Sequence, residues 1–296
     1  MPAATDAPAQ QPVPERRAGR VTIVEEHPAN TTTAVPTSGD APGTVHAPGG
    51  AVFGRPALGW LVAVCGVCGG AGASTLSYLL ARFEQHALAG EEVLVADTGG
   101  PGGGIAALAG AQAPQSLPEI ADQLQAGLSV SLPVADGRNG LRVLATGPRF
   151  HPGADATNGV MIVLDQARAR YPLTVVDCGT LARDADQIAF TAASHAVWLL
   201  PASARGVDRA RWALDAVTLH PDASEILAAR HQPDAKAPVR QLKRLAGYRG
   251  APLVLLPALP ELDNDRKVTD ALDTWQVPLQ AIHGQLHRPT RNGGRL

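Results

Sequence analysis

Apolar and polar positions alternate between two periods along most of this chain. Short apolar runs of strand length are followed by stretches in which apolar residues recur every three or four positions. Trp60–Cys65, Val93–Asp97, Leu141–Thr146, Leu173–Asp177, His195–Leu200, Glu225–Ala229 and Leu253–Leu256 have strand character. Between them, helical spacing predicts Ser74–His86, Leu117–Ala126, Val160–Arg170, Asp184–Ser194, Val207–Leu219, Val239–Leu245 and Arg266–Trp275. In the first helix Leu76, Leu79, Leu80 and Phe83 form the apolar stripe. Strands that alternate with helices predict an α/β fold, with a mostly parallel sheet covered by helices on both faces. No internal repeat is visible.

Residues 1–52 break this pattern. They hold eight prolines, no aromatic residue, no leucine and a single isoleucine, Ile23. Such a segment cannot bury enough apolar surface to offset the entropy of ordering it. The expected organisation is a disordered Pro/Ala/Thr-rich tail over 1–52, then one α/β domain over 53–296.

Composition narrows the function. The 25 Lys+Arg and 27 Asp+Glu give a formal charge of −2, which disfavours nucleic acid as a partner. No apolar run approaches the ~18 residues of a membrane span, and no secretory signal is legible. A cytoplasmic location is expected. Three cysteines do not make a disulfide framework. Cys65-x-x-Cys68 has redox or half-metal-site spacing, but no second cysteine pair completes a zinc site. No Gly-x-Ser-x-Gly nucleophile elbow is present. His283 and His287 stand at i and i+4; with no glutamate or third ligand near them in sequence, a solvated terminal helix is the expectation. Leu279, Ile282 and Leu286 share helical spacing in the same stretch and are expected to pack onto the domain, with peripheral membrane contact as the weaker alternative. Arg240, Lys243, Arg244 and Arg249 form a basic cluster, read as a solvated face.

The most informative stretch runs from Trp60 to Thr75. It is a strand, a glycine loop and the start of a helix. Gly69, Gly70 and Gly72 allow backbone N–H groups to turn toward an anion, and the helix start behind them adds donors and a favourable dipole. Ser74 sits where a hydroxyl reaches Mg²⁺ in such loops. A tight turn with Ser74 as a helix cap is the competing explanation.

Cys68-Gly69-Gly70-Ala71-Gly72-Ala73-Ser74-Thr75 resembles the deviant phosphate loop of the ParA/MinD superfamily, Lys-Gly-Gly-x-Gly-Lys-Thr. Within it, the Gly-Gly-Ala-Gly-Ala-Ser-Thr form is similar to the CpaE/TadZ-like branch, which includes actinobacterial septum-site-determining-like proteins. The stretch Val93–Gly110, with its acid at Asp97 and its Gly102–Gly104 run, resembles that branch's second motif. Leu173–Asp177 resembles its Walker B strand. The likeness covers about residues 58–275.

The resemblance implies a P-loop fold of ParA/MinD type that binds ATP and Mg²⁺ through Cys68–Thr75, with Ser74 and Asp177 supporting the metal. The departures matter as much. The Walker lysine slot holds Ala73, and the signature lysine slot holds Cys68. In the second motif, aligned through Gly102–Gly104, Asp97 fills the first acidic slot and Gly99 the water-orienting one; a two-residue shift would give Asp97 that role at the cost of the glycine match. Hydrolysis should suffer more than binding. The expected protein is a pseudo-ATPase that works as a homodimeric switch. By resemblance it would organise Flp-pilus or secretion machinery, or septum placement, with a secretion ATPase or cell-division proteins as partners, recruited to the pole, the septum or the inner membrane face. The alternatives are an active ParA-like partitioning ATPase and a nucleotide-free scaffold.

Overall fold

In the computed structural model, the described residues are 58–98, 103–147, 157–220, 222–231 and 238–288. The expected tail, 1–52, and Gly99 lie outside them.

The chain folds as β1 (Trp60–Gly66), α1 (Ala73–Ala87), β2 (Val93–Asp97), α2 (Gly104–Ala109), α3 (Leu117–Gln125), β3 (Ala135–Asp136), β4 (Arg142–Leu144), α4 (Thr157–Arg170), β5 (Leu173–Asp177), α5 (Asp184–Ala192), β6 (His195–Pro201), α6 (Ala204–Asp215), β7 (Ser224–Arg230), α7 (Val239–Arg249), β8 (Leu253–Leu256), α8 (Asp265–Thr274) and α9 (Gln276–Leu286). The sheet has eight strands in the order β3-β4-β2-β5-β1-β6-β7-β8. All pairs are parallel except β3 with β4. The predicted architecture is therefore borne out.

Strands β1, β2 and β5 are almost continuously buried, as expected for central strands with helices on both faces. Alternation along β1 sends Leu61, Ala63 and Cys65 into one core and Val62 and Val64 into the other. The first core includes apolar side chains of α3 through α7. The second includes those of α1, α2, α8 and α9. Each helix start has a local cause where the sequence supplies one. Ser116 and Glu119 form a reciprocal capping box at α3, Ser203 caps α6, and Asn264 caps α8.

The structure adds elements that periodicity missed. Helix α2 is a six-residue Ala/Gly turn with too few large apolar residues to show a period. Strand β3 has two residues. Strand β4 is shorter than the predicted Leu141–Thr146.

The cysteine spacing does not form a pair. Cys65 is buried in one core, whereas Cys68 packs against the other across the sheet. Cys65 instead neighbours Cys178, whose thiol is pushed well up, by burial first and by Cys65 next. The basic cluster also divides. Arg249 makes a bidentate pair with Glu225 (2.9 and 2.8 Å) and donates to the Leu214 carbonyl, tying α7 to β7 and α6. Arg240, Lys243 and Arg244 are exposed.

Helix α9 corrects the expectation of a solvated terminal helix. Leu279, Ile282 and Leu286 are buried to within 1%. Burying each is worth about 2–3 kcal/mol, so this stripe belongs to the core, where it cannot serve as a membrane anchor while the domain stays folded. Among the described residues, no helix is long and apolar enough to cross a membrane.

Candidate nucleotide site at the carboxyl edge of the sheet

Strand β1 lies between β5 and β6, where strand order reverses direction along the sheet. In open α/β sheets such a switch opens a crevice at the carboxyl ends of the strands. The glycine loop begins there. Its base is pinned by Gly66 N–H to the Gly179 carbonyl (2.7 Å) and by Val67 N–H to the Leu199 carbonyl (3.0 Å). A further bond, Ala71 N–H to the Cys68 carbonyl (3.2 Å), closes the loop on itself.

Gly70 and Gly72 both take positive φ, +74° and +104°. Residues with a Cβ rarely adopt these values, so the glycines set the curvature of the loop. Gly72 is also the N-cap of α1. A glycine offers no side-chain cap to the first-turn amides of Ala73, Ser74 and Thr75. Those donors, with the helix dipole behind them, form a ready anion site. Gly69 and Gly70 are exposed, while Ala71 and Ala73 are buried against the second core.

Ser74 is not the cap of α1. It lies inside the first turn, and its hydroxyl donates to Asp177 Oδ2. Asp177 Oδ1 in turn accepts from the Gly179 N–H (3.1 Å). Burial pushes the Asp177 carboxyl above the usual range, against the opposing effects of Ser74 and Gly179. Its hydrogen bonds thus fall short of replacing lost hydration. A hydroxyl and a carboxylate in contact, both hard oxygen donors, fit the chemistry of Mg²⁺. The residues present therefore suit a magnesium-bound polyphosphate.

The end of β2 arrives at the same place. Asp97 pairs in register with Asp177 across β2 and β5 and is buried. Thr98 follows it; both its N–H (3.3 Å) and its hydroxyl (3.2 Å) donate to the Asp177 carbonyl. Gly104, at the start of α2, faces Ser74 so closely that a Cβ there would lie 2.9 Å from Ser74 Cβ. The two glycine-rich segments touch through this position.

Three groups at the site escaped the sequence reading. Arg230 ends β7 and reaches across to donate to the Gly70 carbonyl (3.2 Å). It brings a cation to a loop that has no lysine or arginine of its own between Gly66 and Thr75. The carboxyl-edge rule applied to β7 was the signal that could have found it. Asp186 is buried in α5, accepts from the Thr98 hydroxyl, and pairs with Arg183 (2.6 Å). Arg183 also donates to the Thr98 carbonyl (3.1 Å). This network braces Thr98, next to Asp97. Arg183 and Asp186 are a local i, i+3 pair at the start of α5, but Thr98, which ties them to the site, is 85 and 88 positions away from them. A cleft of about 390 Å³ adjoins the loop, with Ser74, Thr75, Arg230 and Glu261 in its wall.

No protein-family model and no curated protein matches the sequence significantly. Solved structures do match. A ParA family ATPase from Chlorobium tepidum TLS superposes with a TM-score of 0.58 at 16% identity, covering 78% of this chain and 95% of that one. Cobyrinic acid a,c-diamide synthase from Mycobacterium smegmatis, with bound ADP and magnesium, gives 0.57 at 17% identity over 78% and 98%. The cell division ATPase MinD from Pyrococcus furiosus gives 0.54 at 12% identity over 76% and 99%. At such identities the likeness speaks for the backbone: this chain has the fold of the ParA/MinD-type P-loop ATPases.

Proposed function

We propose that this protein is a ParA/MinD-like nucleotide-binding pseudo-ATPase that acts as a homodimeric switch. The observation that carries the reading is the cradle itself: two glycines at positive φ, an uncapped α1 start, and the Ser74 hydroxyl on Asp177. Cys68–Thr75 would hold ATP through main-chain N–H groups, and Ser74 and Asp177 would hold Mg²⁺. Bound magnesium would neutralise phosphate charge.

Weak turnover follows from what the loop lacks. The chain has three lysines, Lys236, Lys243 and Lys267, and none is in the loop. Losing one well-placed donor to a transition state costs about 10²–10³ in rate. Arg230 supplies positive charge nearby, but its guanidinium holds a main-chain carbonyl of the loop. It supports the loop's shape and the attraction of phosphates. The second-motif slot that orients water in the superfamily holds Gly99, which has no side chain to do so. With hydrolysis slow, the lifetime of the bound state is set by exchange or by a partner, and ATP acts only through its differential affinity for the dimer. The biological role that goes with this reading is spatial organisation of Flp-pilus or secretion machinery, or of septum placement.

The test is a nucleotide titration with and without Mg²⁺, combined with sedimentation and a phosphate-release assay. The expected result is Mg²⁺-dependent ATP binding, a larger dimer fraction, and no appreciable phosphate release. Steady release stimulated by DNA would replace this reading with an active partitioning ATPase. Absence of binding and of any ATP-dependent thermal shift would leave a scaffold.

A further inference from the structure

At the opposite end of α1 from the glycine loop, a second cluster has no part in the proposed nucleotide site. Glu84 lies on the apolar stripe of α1, four positions after Leu80, and is fully buried. Its carboxylate faces two imidazoles from α9. His283 Nδ1 is 3.0 Å from Oε1 and 2.9 Å from Oε2, and His287 Nε2 is 3.1 Å from Oε2. One ligand atom from each residue lies within 4.8 Å of the other two. The geometry points to a zinc site: we propose that Glu84 Oε2, His283 Nδ1 and His287 Nε2 bind one Zn²⁺, with water in the fourth position.

Several features carry this assignment. Two nitrogens and one carboxylate oxygen form a donor set suited to zinc, and three protein ligands plus water is one of its ordinary arrangements. In a tetrahedral shell with zinc–ligand bonds of about 2.0–2.1 Å, neighbouring ligand atoms stand roughly 3.3 Å apart. The observed separations from the carboxylate, 2.9–3.1 Å, need a spread of only a few tenths of an ångström. The i, i+4 spacing aims both imidazoles from one face of a single helix, which fixes their relative placement before any ion arrives.

Charge balance points the same way. The two imidazole centroids are 4.2 Å apart. Both rings present a nitrogen to the same carboxylate oxygen, Glu84 Oε2. One divalent cation held between neutral imidazoles would bring positive charge to this buried carboxylate. Binding requires the ring nitrogens that now face Glu84 to present lone pairs, with each proton on the other nitrogen of its ring. The site is also reachable: the side chains of His283 and His287 are 23% and 26% exposed, whereas that of Glu84 is 0% exposed. The ring of Trp60, 4.4 Å from that of His287, flanks the cluster.

The test uses the full chain stripped of metal with a chelator. Equilibrium dialysis against micromolar Zn²⁺ should give one ion per chain. Co²⁺ should give visible d–d bands of four-coordinate nitrogen/oxygen type, without thiolate charge transfer. His283→Gln and His287→Gln should each weaken Zn²⁺ at least tenfold, and the double variant should lose the ion. Cys68→Ser should retain it, which separates this site from chelation at the glycine loop. Glu84 is in the core, so the quarter-exposed histidines carry the mutational test, with circular dichroism checking the fold. Zinc uptake unchanged in the double variant, or no uptake by the native chain at micromolar Zn²⁺, overturns the proposal. The outcome is independent of ATP binding, since no residue is shared with the loop.

Discussion

The two edges of the sheet treat a buried carboxylate in opposite ways. At the carboxyl edge, Asp177 has a hydroxyl and one amide as partners, and burial prevails, raising its proton affinity. At the other, Glu84 is at least as deeply buried, yet hydrogen bonds and charge from His283 and His287 outweigh desolvation and hold it below the usual range. The lesson is that burial alone does not decide the fate of a carboxylate; its partners do. With no ion bound, Asp177 is left under-compensated, whereas two imidazoles already meet Glu84.

The sharpest way to break this contrast is pH. His195 starts β6 and is 5% exposed; burial, helped by the charge of His287, depresses its pKa from 6.5 to about 4. Its folded form is therefore neutral where the unfolded chain is protonated. Stability from this group is intact above pH 6.5 and declines as pH falls toward 4, by about 3 kcal/mol in all. Urea midpoints of chelator-treated protein should follow that slope, and His195→Gln should flatten it.

Next in size is the loop itself. Gly72→Val places a branched side chain at φ +104°, with its Cβ 2.8 Å from Arg230 Nη1. Nucleotide affinity by calorimetry should fall more than about 100-fold, as strain at this position distorts the cradle. Arg230→Ala should weaken binding by about tenfold, the scale of one charge-assisted contact, and more so at low salt. Retention of full affinity would detach Arg230 from the site.

The smallest effect sharpens the comparison best. Asp177→Asn removes a carboxylate that is ill-compensated in the folded chain. The nucleotide-free protein should unfold at a higher temperature, while the Mg²⁺ dependence of ATP binding is lost. A destabilised variant would mean that the Ser74 contact compensates the charge after all.

Much of the carboxyl edge was legible in the sequence. Glycine conformation, helix dipole and Walker-type order are local properties, so the strand, loop and helix from Trp60 to Thr75 declared themselves. Asp97 and Asp177 followed as the ends of apolar runs. Arg230, Asp186 and Arg183 did not, because each acts through a partner that only the parallel sheet brings near. The histidine pair shows the same limit more plainly. Its i, i+4 spacing was visible, but its third member stands 199 positions away from His283, on a helix whose stripe read as purely apolar. The position of Glu84 on that stripe was the overlooked signal, since an acid on a core-facing line needs a partner.

The close approach at Gly104 has a wider consequence. With no side chain there, the turn into α2 rests directly on the first helical turn behind the phosphate loop. Any methyl group added would collide with the serine at the foot of the cradle, so neither segment can be rebuilt alone. A chain of this fold whose loop had no anion to hold would be released from this mutual restriction, and bulk at this one position would be its mark.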